Sequence, residues 1–432
     1  MTRYQEALQW LYGLESRGIK LGLERIAEAA EVRGYPQRDL CCVHVAGTNG
    51  KGSVATMVES VLRAAGYKTG QFASPHLQRY VERVRVGGRP ISEREAAARI
   101  DELHADSRLP PLSFFEYTTL LAFEAFRDAE CDIIVLEVGL GGRLDSTNIV
   151  TPEVSVITNI SFEHQRILGD TLAKIAREKA GVLKAGVPCV VGARGKSARR
   201  AISARASAVG APLRWIDRDF ESAWNGGLLS VRVGDQEWTG LRLGLRGDYQ
   251  DDNAACALTT LTELGDRGFE VSEAHIRKGL RRAKWPGRLE WHRGHPAFLF
   301  DAAHNASGCE TLARYLDELE FPGKVVLLFG AMRDKDHRRM LAAFDDRVDR
   351  RIYAAPAIYR AESPARLAKI RQGAVARSTR DAVARAKRAA GQDGLVVAAG
   401  SIFLVSEVRA LVKNVRTDPP SPYEKKGSDP RR

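Results

Sequence analysis

The residues best able to do chemistry fall in one stretch, His44-Val45-Ala46-Gly47-Thr48-Asn49-Gly50-Lys51-Gly52-Ser53. Gly47, Gly50 and Gly52 let the main chain curl until successive N–H groups face one anion. Lys51 adds a mobile positive charge, and the helix-compatible run from Val54 presents its positive dipole end. That combination is a phosphate cradle. It departs from GxxxxGK[ST], because Val45 stands where the first glycine would be and Gly52 follows the lysine. The other reading is a Gly/Asn-rich turn; the order strand, glycines, lysine, helix favours the cradle.

Further along, Glu137 ends an otherwise apolar run from Asp132 to Val138. A carboxylate there is costly unless paired, hydrogen-bonded or metal-bound, and beside a nucleotide phosphate magnesium is its natural partner. The alternative is an ion pair with a nearby Arg or Lys. Gly139-Leu140-Gly141-Gly142-Arg143-Leu144-Asp145-Ser146-Thr147-Asn148 follows at once, a loop whose backbone can approach a ligand and which offers Arg143 and Asp145 as polar hooks. In Ser161-Phe162-Glu163-His164, the histidine is either a metal ligand or a cap, and Lys179 reads at first as a solvated helix residue. In the second half, Asp301 either accepts from a ribose hydroxyl or caps a helix, and His304 is placed to bind a carboxylate. Asn253 reads as an N-cap before a helix from Ala254 to Leu264, and Arg288 either reaches phosphate or anchors a linker.

Strands must carry these residues to a common edge. Cys42–Val45, 69–73, 132–138, 154–158 and 187–192 read as strands alternating with helices, the pattern of a mostly parallel, doubly wound α/β sheet. In such sheets the functional loops gather at the carboxyl ends, where the cradle, Ser74, Glu137 and the residues after Thr158 all fall. Residues 212–245 suggest a small antiparallel excursion. From Ala297 a second strand–helix alternation predicts a smaller Rossmann-like domain. The expected organisation is therefore an ATP-binding domain over 1–285, a linker over 286–296, the second domain over 297–416 and a disordered tail over 417–432.

At 432 residues, with 44% hydrophobic and 28% charged content, the chain has material for two or three domains. No run approaches a membrane span and the N-terminus lacks a signal core, so a cytoplasmic protein is expected. The six cysteines form no CxxC pair, which argues against zinc or a disulfide framework. The net charge of +12 is spread without interleaved aromatics and suits a solvated surface and anionic small substrates better than nucleic acid.

Together these stretches resemble the folylpolyglutamate synthase/dihydrofolate synthase family, within the ATP-dependent amide-bond ligases of the Mur type. The matching pieces are GTNGKGS at 47–53, SPHL at 74–77, ERVRV at 82–86 and FFEY at 114–117. They continue with LEVGLGGRLDSTN at 136–148, EKAG at 178–181, PGR at 286–288 and DAAHN at 301–305. The resemblance implies a P-loop-containing central domain of the Mur type with a smaller Rossmann-like C-terminal domain. By resemblance, Thr48, Asn49, Gly50 and Lys51 hold ATP, completed by Asn253, Arg288 and Asp301 from the far side of a cleft. Ser74, Glu137 and His164 match magnesium ligands, although Glu163 stands where the family has Asp. Lys179 matches a lysine that is carbamylated in many relatives, which overturns its solvated reading; with Lys51 and His304 it makes the expected catalytic set. Lys20 and Leu21, Ser113, Phe114, Phe115 and Glu116, and Leu144, Asp145 and Ser146 match pterin-binding segments.

The implied reaction adds L-glutamate to dihydropteroate, and then to the glutamyl tail of reduced folates, through an acyl phosphate. The implied cofactors are Mg2+, with ATP as co-substrate, and a monovalent cation; the implied partners are small molecules only, without nucleic acid or membrane, and the implied state is a monomer. The alternatives are a folylpolyglutamate synthase without the first activity, another Mur-type ligase acting on a cell-wall precursor, and a nucleotide-dependent module that binds nucleic acid.

Overall fold

The alternation of apolar strands and amphipathic helices is realised twice. The computed structural model describes residues 1–18, 20–225 and 227–419; the expected tail from residue 420 and Ile19 of the break expected between the first two helices lie outside the described residues. The chain divides into two compact units: Met1–His76 with Val81–Lys284, and Leu77–Tyr80 with the residues from Trp285 onward.

In the first unit the strands are β1 (Cys42–Ala46), β2 (Thr69–Phe72), β3 (Val84–Val86), β4 (Arg89–Pro90), β5 (Ile133–Glu137), β6 (Val154–Ile157), β7 (Cys189–Val191) and β8 (Leu213–Trp215). They form one eight-stranded sheet in the order β4-β3-β2-β5-β1-β6-β7-β8. From β2 to β8 across the sheet the pairing is parallel; β3 and β4 extend it antiparallel. Every residue of β1, β5 and β6 is buried, which is why these strands read as continuous apolar runs. The connection from β1 leaves toward β2 and that from β6 toward β7. The crevice between the carboxyl ends of β1 and β6 is therefore a topological switch point, the place where open α/β sheets bind ligands.

The first helix, Arg3–Gly13, starts with a capping box on Thr2 and Gln5. Val191, Ile202, Trp215 and their neighbours fill one core layer of this unit, each large apolar side chain contributing about 1.5–3 kcal/mol by burial. The excursion over 212–245 divides: β8 joins the main sheet, while β9 (Phe220–Asn225), β10 (Leu228–Val233) and β11 (Gln236–Leu241) form a three-stranded antiparallel sheet.

In the second unit β12 (Glu290–His292), β13 (Ala297–Phe300), β14 (Val325–Phe329), β15 (Arg350–Tyr353), β16 (Ala374–Val375) and β17 (Leu395–Ala399) form a six-stranded sheet, ordered β12-β13-β17-β14-β15-β16. Phe298, Phe300, Leu328 and Ile352 sit in its core. β12 lies inside the stretch expected as linker and pairs antiparallel with β13. Among the described residues no helix is long and apolar enough to cross a membrane.

Candidate functional site

The cradle follows β1 and opens the helix Lys51–Ala64. Gly47 and Gly50 take φ of 144° and 86°, which other residues rarely adopt. A Cβ on Gly47 would stand 1.9 Å from Thr158 Oγ1, and one on Gly50 would stand 2.3 Å from Asn253 Oδ1. Both glycines are therefore required by conformation and by contact. The loop after β6 clamps the cradle: Asn159 accepts from Thr48 N–H through its carbonyl and from Asn49 N–H through Oδ1, each at 2.9 Å. The Thr158 hydroxyl donates to the Asn49 carbonyl at 2.6 Å, and Ser161 N–H donates to Thr48 Oγ1 at 3.1 Å.

Two of the expected anion-facing amides are thus already committed. The N–H groups that a helix leaves without an intrahelical acceptor at its start are here those of Lys51, Gly52 and Ser53. Sequence reasoning placed the loop and missed this clamp, whose only trace is the polar Thr158-Asn159 pair closing an apolar strand.

Two lysines converge on one carbonyl. Lys51 Nζ donates to Gly47 O at 3.2 Å and to Thr48 O at 3.1 Å, and Lys179 Nζ donates to Gly47 O at 2.6 Å. Lys179 is 3% exposed. Burial, then the Lys51 charge, push its ammonium down to about 7.

Asn253 is not an N-cap. The helix runs Gln250–Gly265 from Tyr249, so Asn253 lies in its first turn. Its Nδ2 donates to Tyr249 O at 3.3 Å and to Gln250 Oε1 at 2.9 Å, which leaves Oδ1 on the side of Gly50. Gln250, fully buried, is a positioning partner that the sequence did not single out.

Ser74 and Glu137 meet. They follow β2 and end β5, which pair in parallel with Phe72 opposite Leu136. Ser74 N–H donates to Glu137 Oε2 at 3.3 Å, and the carboxylate is buried. His164 follows β6, with β1 lying between β6 and β5. It has φ 48° just before the helix Gln165–Leu168, and its Nε2 is 3.9 Å from Glu163 Oε1. Among the described residues no three His, Cys, Asp or Glu side chains form a metal cluster. The expected set instead combines one carboxylate, one hydroxyl and one imidazole. That donor set fits a hard divalent cation whose remaining positions go to phosphate oxygens and water.

The glycine-rich loop after β5 is tied to itself and to the segment 178–181. Gly142 and Gly181 are contact glycines: a Cβ on the first would stand 2.9 Å from Lys179 O, and one on the second 2.3 Å from Arg143 Cα. Arg143 pairs with Glu178 at 3.0 Å and is half exposed, so it is a tie between the two motifs. Asp145 Oδ1 accepts from the Thr147 N–H at 3.1 Å and hydroxyl at 2.6 Å, and Oδ2 accepts from Leu140 N–H at 2.7 Å. Burial pushes this carboxyl up, against those donors. Both expected polar hooks thus hold loop structure.

Ser113 caps the helix Phe114–Asp128 in a capping box with Glu116, whose Oε2 accepts from Ser113 N–H at 2.7 Å. Glu116 is fully buried and paired with Arg25 at 3.0 Å. Phe114 lies under the Arg83 guanidinium, 5.0 Å from the ring centroid. Phe115 packs on Phe72 with centroids 5.9 Å apart, and a Cβ on Gly139 would stand 2.4 Å from its ring. Lys20 and Leu21 are exposed, Leu21 as one of the large exposed apolar residues.

In the second unit Asp301 is buried, with Oδ1 accepting from Ala303 N–H and Oδ2 from Leu289 N–H, each at 2.9 Å. Burial raises its pKa and the Arg288 charge opposes the rise. It does not cap the following helix: Asn305 caps Ala306–Leu319 through Gly308 N–H at 2.7 Å. His304 Nδ1 is 2.9 Å from Ala302 O, which turns the ring about its own loop.

The Mur ligase middle-domain family matches residues 45–261, and the family described as Mur ligase, glutamate ligase domain matches residues 287–402. The chain is similar to a probable bifunctional folylpolyglutamate synthase/dihydropteroate synthase of Haloferax volcanii, 37% identical over 94% of this chain, and spans about half that relative's length (50%). It is 32% identical to the dihydrofolate synthase/folylpolyglutamate synthase of Bacillus subtilis, over 95% of this chain and 100% of the relative. Escherichia coli FolC in complex with DHPP and ADP is 34% identical, covers 94% of this chain and 98% of its own, and has a TM-score of 0.86. A bifunctional folylpolyglutamate synthase/dihydrofolate synthase with Mn, AMPPNP and L-glutamate bound is 35% identical, with the same coverage and a TM-score of 0.85.

Proposed function

The chain belongs to the folylpolyglutamate synthase/dihydrofolate synthase family of Mur-type ligases, and from that premise we propose that it joins L-glutamate to dihydropteroate and to the glutamyl tail of reduced folates at the expense of ATP. The observation that carries this reading is the cradle of Gly47–Lys51 beside the Ser74–Glu137 pair, with Lys179 buried against the same loop.

A carboxylate does not acylate an amine until its oxygen becomes a leaving group. Phosphoryl transfer from ATP gives an acyl phosphate and ADP; the glutamate amine then attacks the acyl carbon, and phosphate departs with the carboxylate oxygen. Thr48, Asn49, Gly50 and Lys51 are assigned to the triphosphate: Thr48 and Asn49, their amides tied to Asn159, set the shape of the loop, the helix start at Lys51 supplies N–H donors, and the Lys51 ammonium supplies charge as the phosphoryl group moves. A divalent cation held by Ser74, Glu137 and His164 supplies further neutralisation of that charge when bound. Asn253 faces the cradle through Gly50, and Arg288 and Asp301 are assigned to the nucleotide. Lys179 is assigned a carbamate: with its ammonium down to about 7, a sizeable neutral fraction can add to CO2 at its nitrogen and lose a proton. His304 is assigned to a carboxylate of the incoming glutamate. Leu21 with Lys20, Ser113–Glu116 and Leu144–Ser146 are assigned to the pterin, Phe114 and Phe115 offering aromatic surface and Leu21 an exposed apolar side chain. The protein is read as a monomer.

The test is a substrate panel followed by ADP release. ADP formation that requires glutamate together with dihydropteroate, and separately with a reduced folate, is the expected result. Turnover on the reduced folate alone reduces the activity to the second reaction, and no ADP with either acceptor removes the reading.

A further inference from the structure

Outside the residues already assigned, one buried polar side chain of the first unit with an unsatisfied atom is His44. Its side chain is fully buried on β1, in register with Leu136 of β5 and Ser155 of β6. Nδ1 has no hydrogen-bond partner among the described residues, and an unpaired buried acceptor costs stability. Nε2 lies 2.8 Å from Thr147 Oγ1. The direction of that bond follows from the next one. The Thr147 hydroxyl donates to Asp145 Oδ1 at 2.6 Å, so its single hydrogen is engaged and His44 Nε2–H is the donor. Burial, then the Lys184 charge, push the imidazole down to about 3, so the ring stays neutral. Asp145, fixed in this way, holds Thr147 N–H and Leu140 N–H and so ties both ends of the loop that carries Leu144–Ser146.

We propose that His44 is a positioning residue for the pterin-holding loop: it orients the Thr147 hydroxyl so that Asp145 keeps Leu144–Ser146 in the shape that meets the heterocycle. A threonine hydroxyl is a rotor, and a donor aimed at its lone pair fixes where its hydrogen points. The inference rests on the assignment of 144–146 to the pterin.

The test compares His44→Met, which keeps the bulk and removes the donor, with His44→Gln, whose amide N–H reaches the same hydroxyl. His44→Met is expected to raise the KM for dihydropteroate about tenfold, the worth of one net hydrogen bond, while kcat and the KM for ATP stay within about twofold. His44→Gln is expected to restore the dihydropteroate KM. The Tm of His44→Met equals or exceeds that of the wild type, because the unpaired Nδ1 is gone; a merely structural histidine would lose stability instead. Thr147→Val against Thr147→Ser gives the same comparison if His44→Met does not fold, and the Met/Val double variant is no worse than the worse single one. Equal effects of Met and Gln, or a joint rise of both KM values, overturn the proposal. Leu144→Ala separates the two levels. If it leaves the dihydropteroate KM unchanged, the loop assignment fails and the proposal with it; if it raises that KM while His44→Met does not, only the proposal fails.

Discussion

Two glycine-rich loops leave neighbouring parallel strands, one after β1 and one after β5, and they are built differently. The first is held from outside. Thr158, Asn159 and Ser161 clamp its backbone, Asn253 covers Gly50, and two lysines converge on the Gly47 carbonyl. The second is tied first within itself, Asp145 holding Leu140 and Thr147 and Asn148 Nδ2 donating to the Arg143 carbonyl at 3.1 Å, and then to its surroundings through Gly181, Glu178 and His44. One loop gathers positive charge with its helix start left for an anion, whereas the other carries a buried carboxylate and suits an uncharged ring. Glycine content alone does not separate a phosphate site from a platform; the sign of the charge and the origin of the ties do.

The largest break in this contrast comes from Lys51→Met. Turnover with either acceptor is expected to fall by about 10²-fold to 10³-fold or more, as when one charge-stabilising group is removed, with Tm little changed. Glu137→Ala is expected to fall as far, and ADP release measures both. Wild-type turnover in either variant breaks the site assignment. Next come two glycine substitutions. Gly50→Ala, which pushes a Cβ into Asn253 at a left-handed φ, should raise the KM for ATP; Gly139→Ala, which meets the Phe115 ring, should raise the KM for dihydropteroate. About tenfold is expected for each, the scale of a displaced binding contact. Steady-state kinetics with each substrate varied would show the two effects exchanged, or merged, if the loops do not divide the work.

A third test uses the buried lysine. Burial pushes folded Lys179 down to about 7 from the ordinary 10.5 of an unfolded lysine, so between those values the unfolded chain binds more protons and stability rises with pH. Below that window both states are protonated and the burial penalty is felt in full. Lys179→Met should therefore be inactive yet about 1–3 kcal/mol more stable than the wild type at pH 7, the scale of a relieved buried charge. The gap should close toward pH 10, as urea titrations in CO2-free buffer would show. The smallest effect belongs to Arg143→Ala. Its half-exposed pair with Glu178 contributes about 0.2–1 kcal/mol, so turnover should hardly change.

Much of the first loop was legible in the sequence because its determinants are local: glycines where the chain curls, a lysine at a helix start, an apolar strand before them. Glu137 was legible for the same reason, as a lone charge ending a buried run. The clamp from Thr158 and Asn159 was not, since it depends on β6 lying beside β1, a pairing between residues distant in the chain. Asn253 reads as an N-cap but lies a turn inside its helix, because the helix starts at Gln250, where the acidic Asp251 and Asp252 are favoured in the first turn. Strand β12 is too short to announce itself and exists through its pairing with β13. Asp145 reads as a hook in the sequence because its two oxygens find their partners only once the loop has closed.

The most direct test of the central claim follows the oxygen. With the carboxylate of dihydropteroate labelled with 18O, a cradle that activates that acid by phosphorylation must pass one labelled oxygen to the phosphate released with each amide bond. Label in the phosphate, formed in step with ADP, is the predicted result; unlabelled phosphate at full amide yield contradicts it.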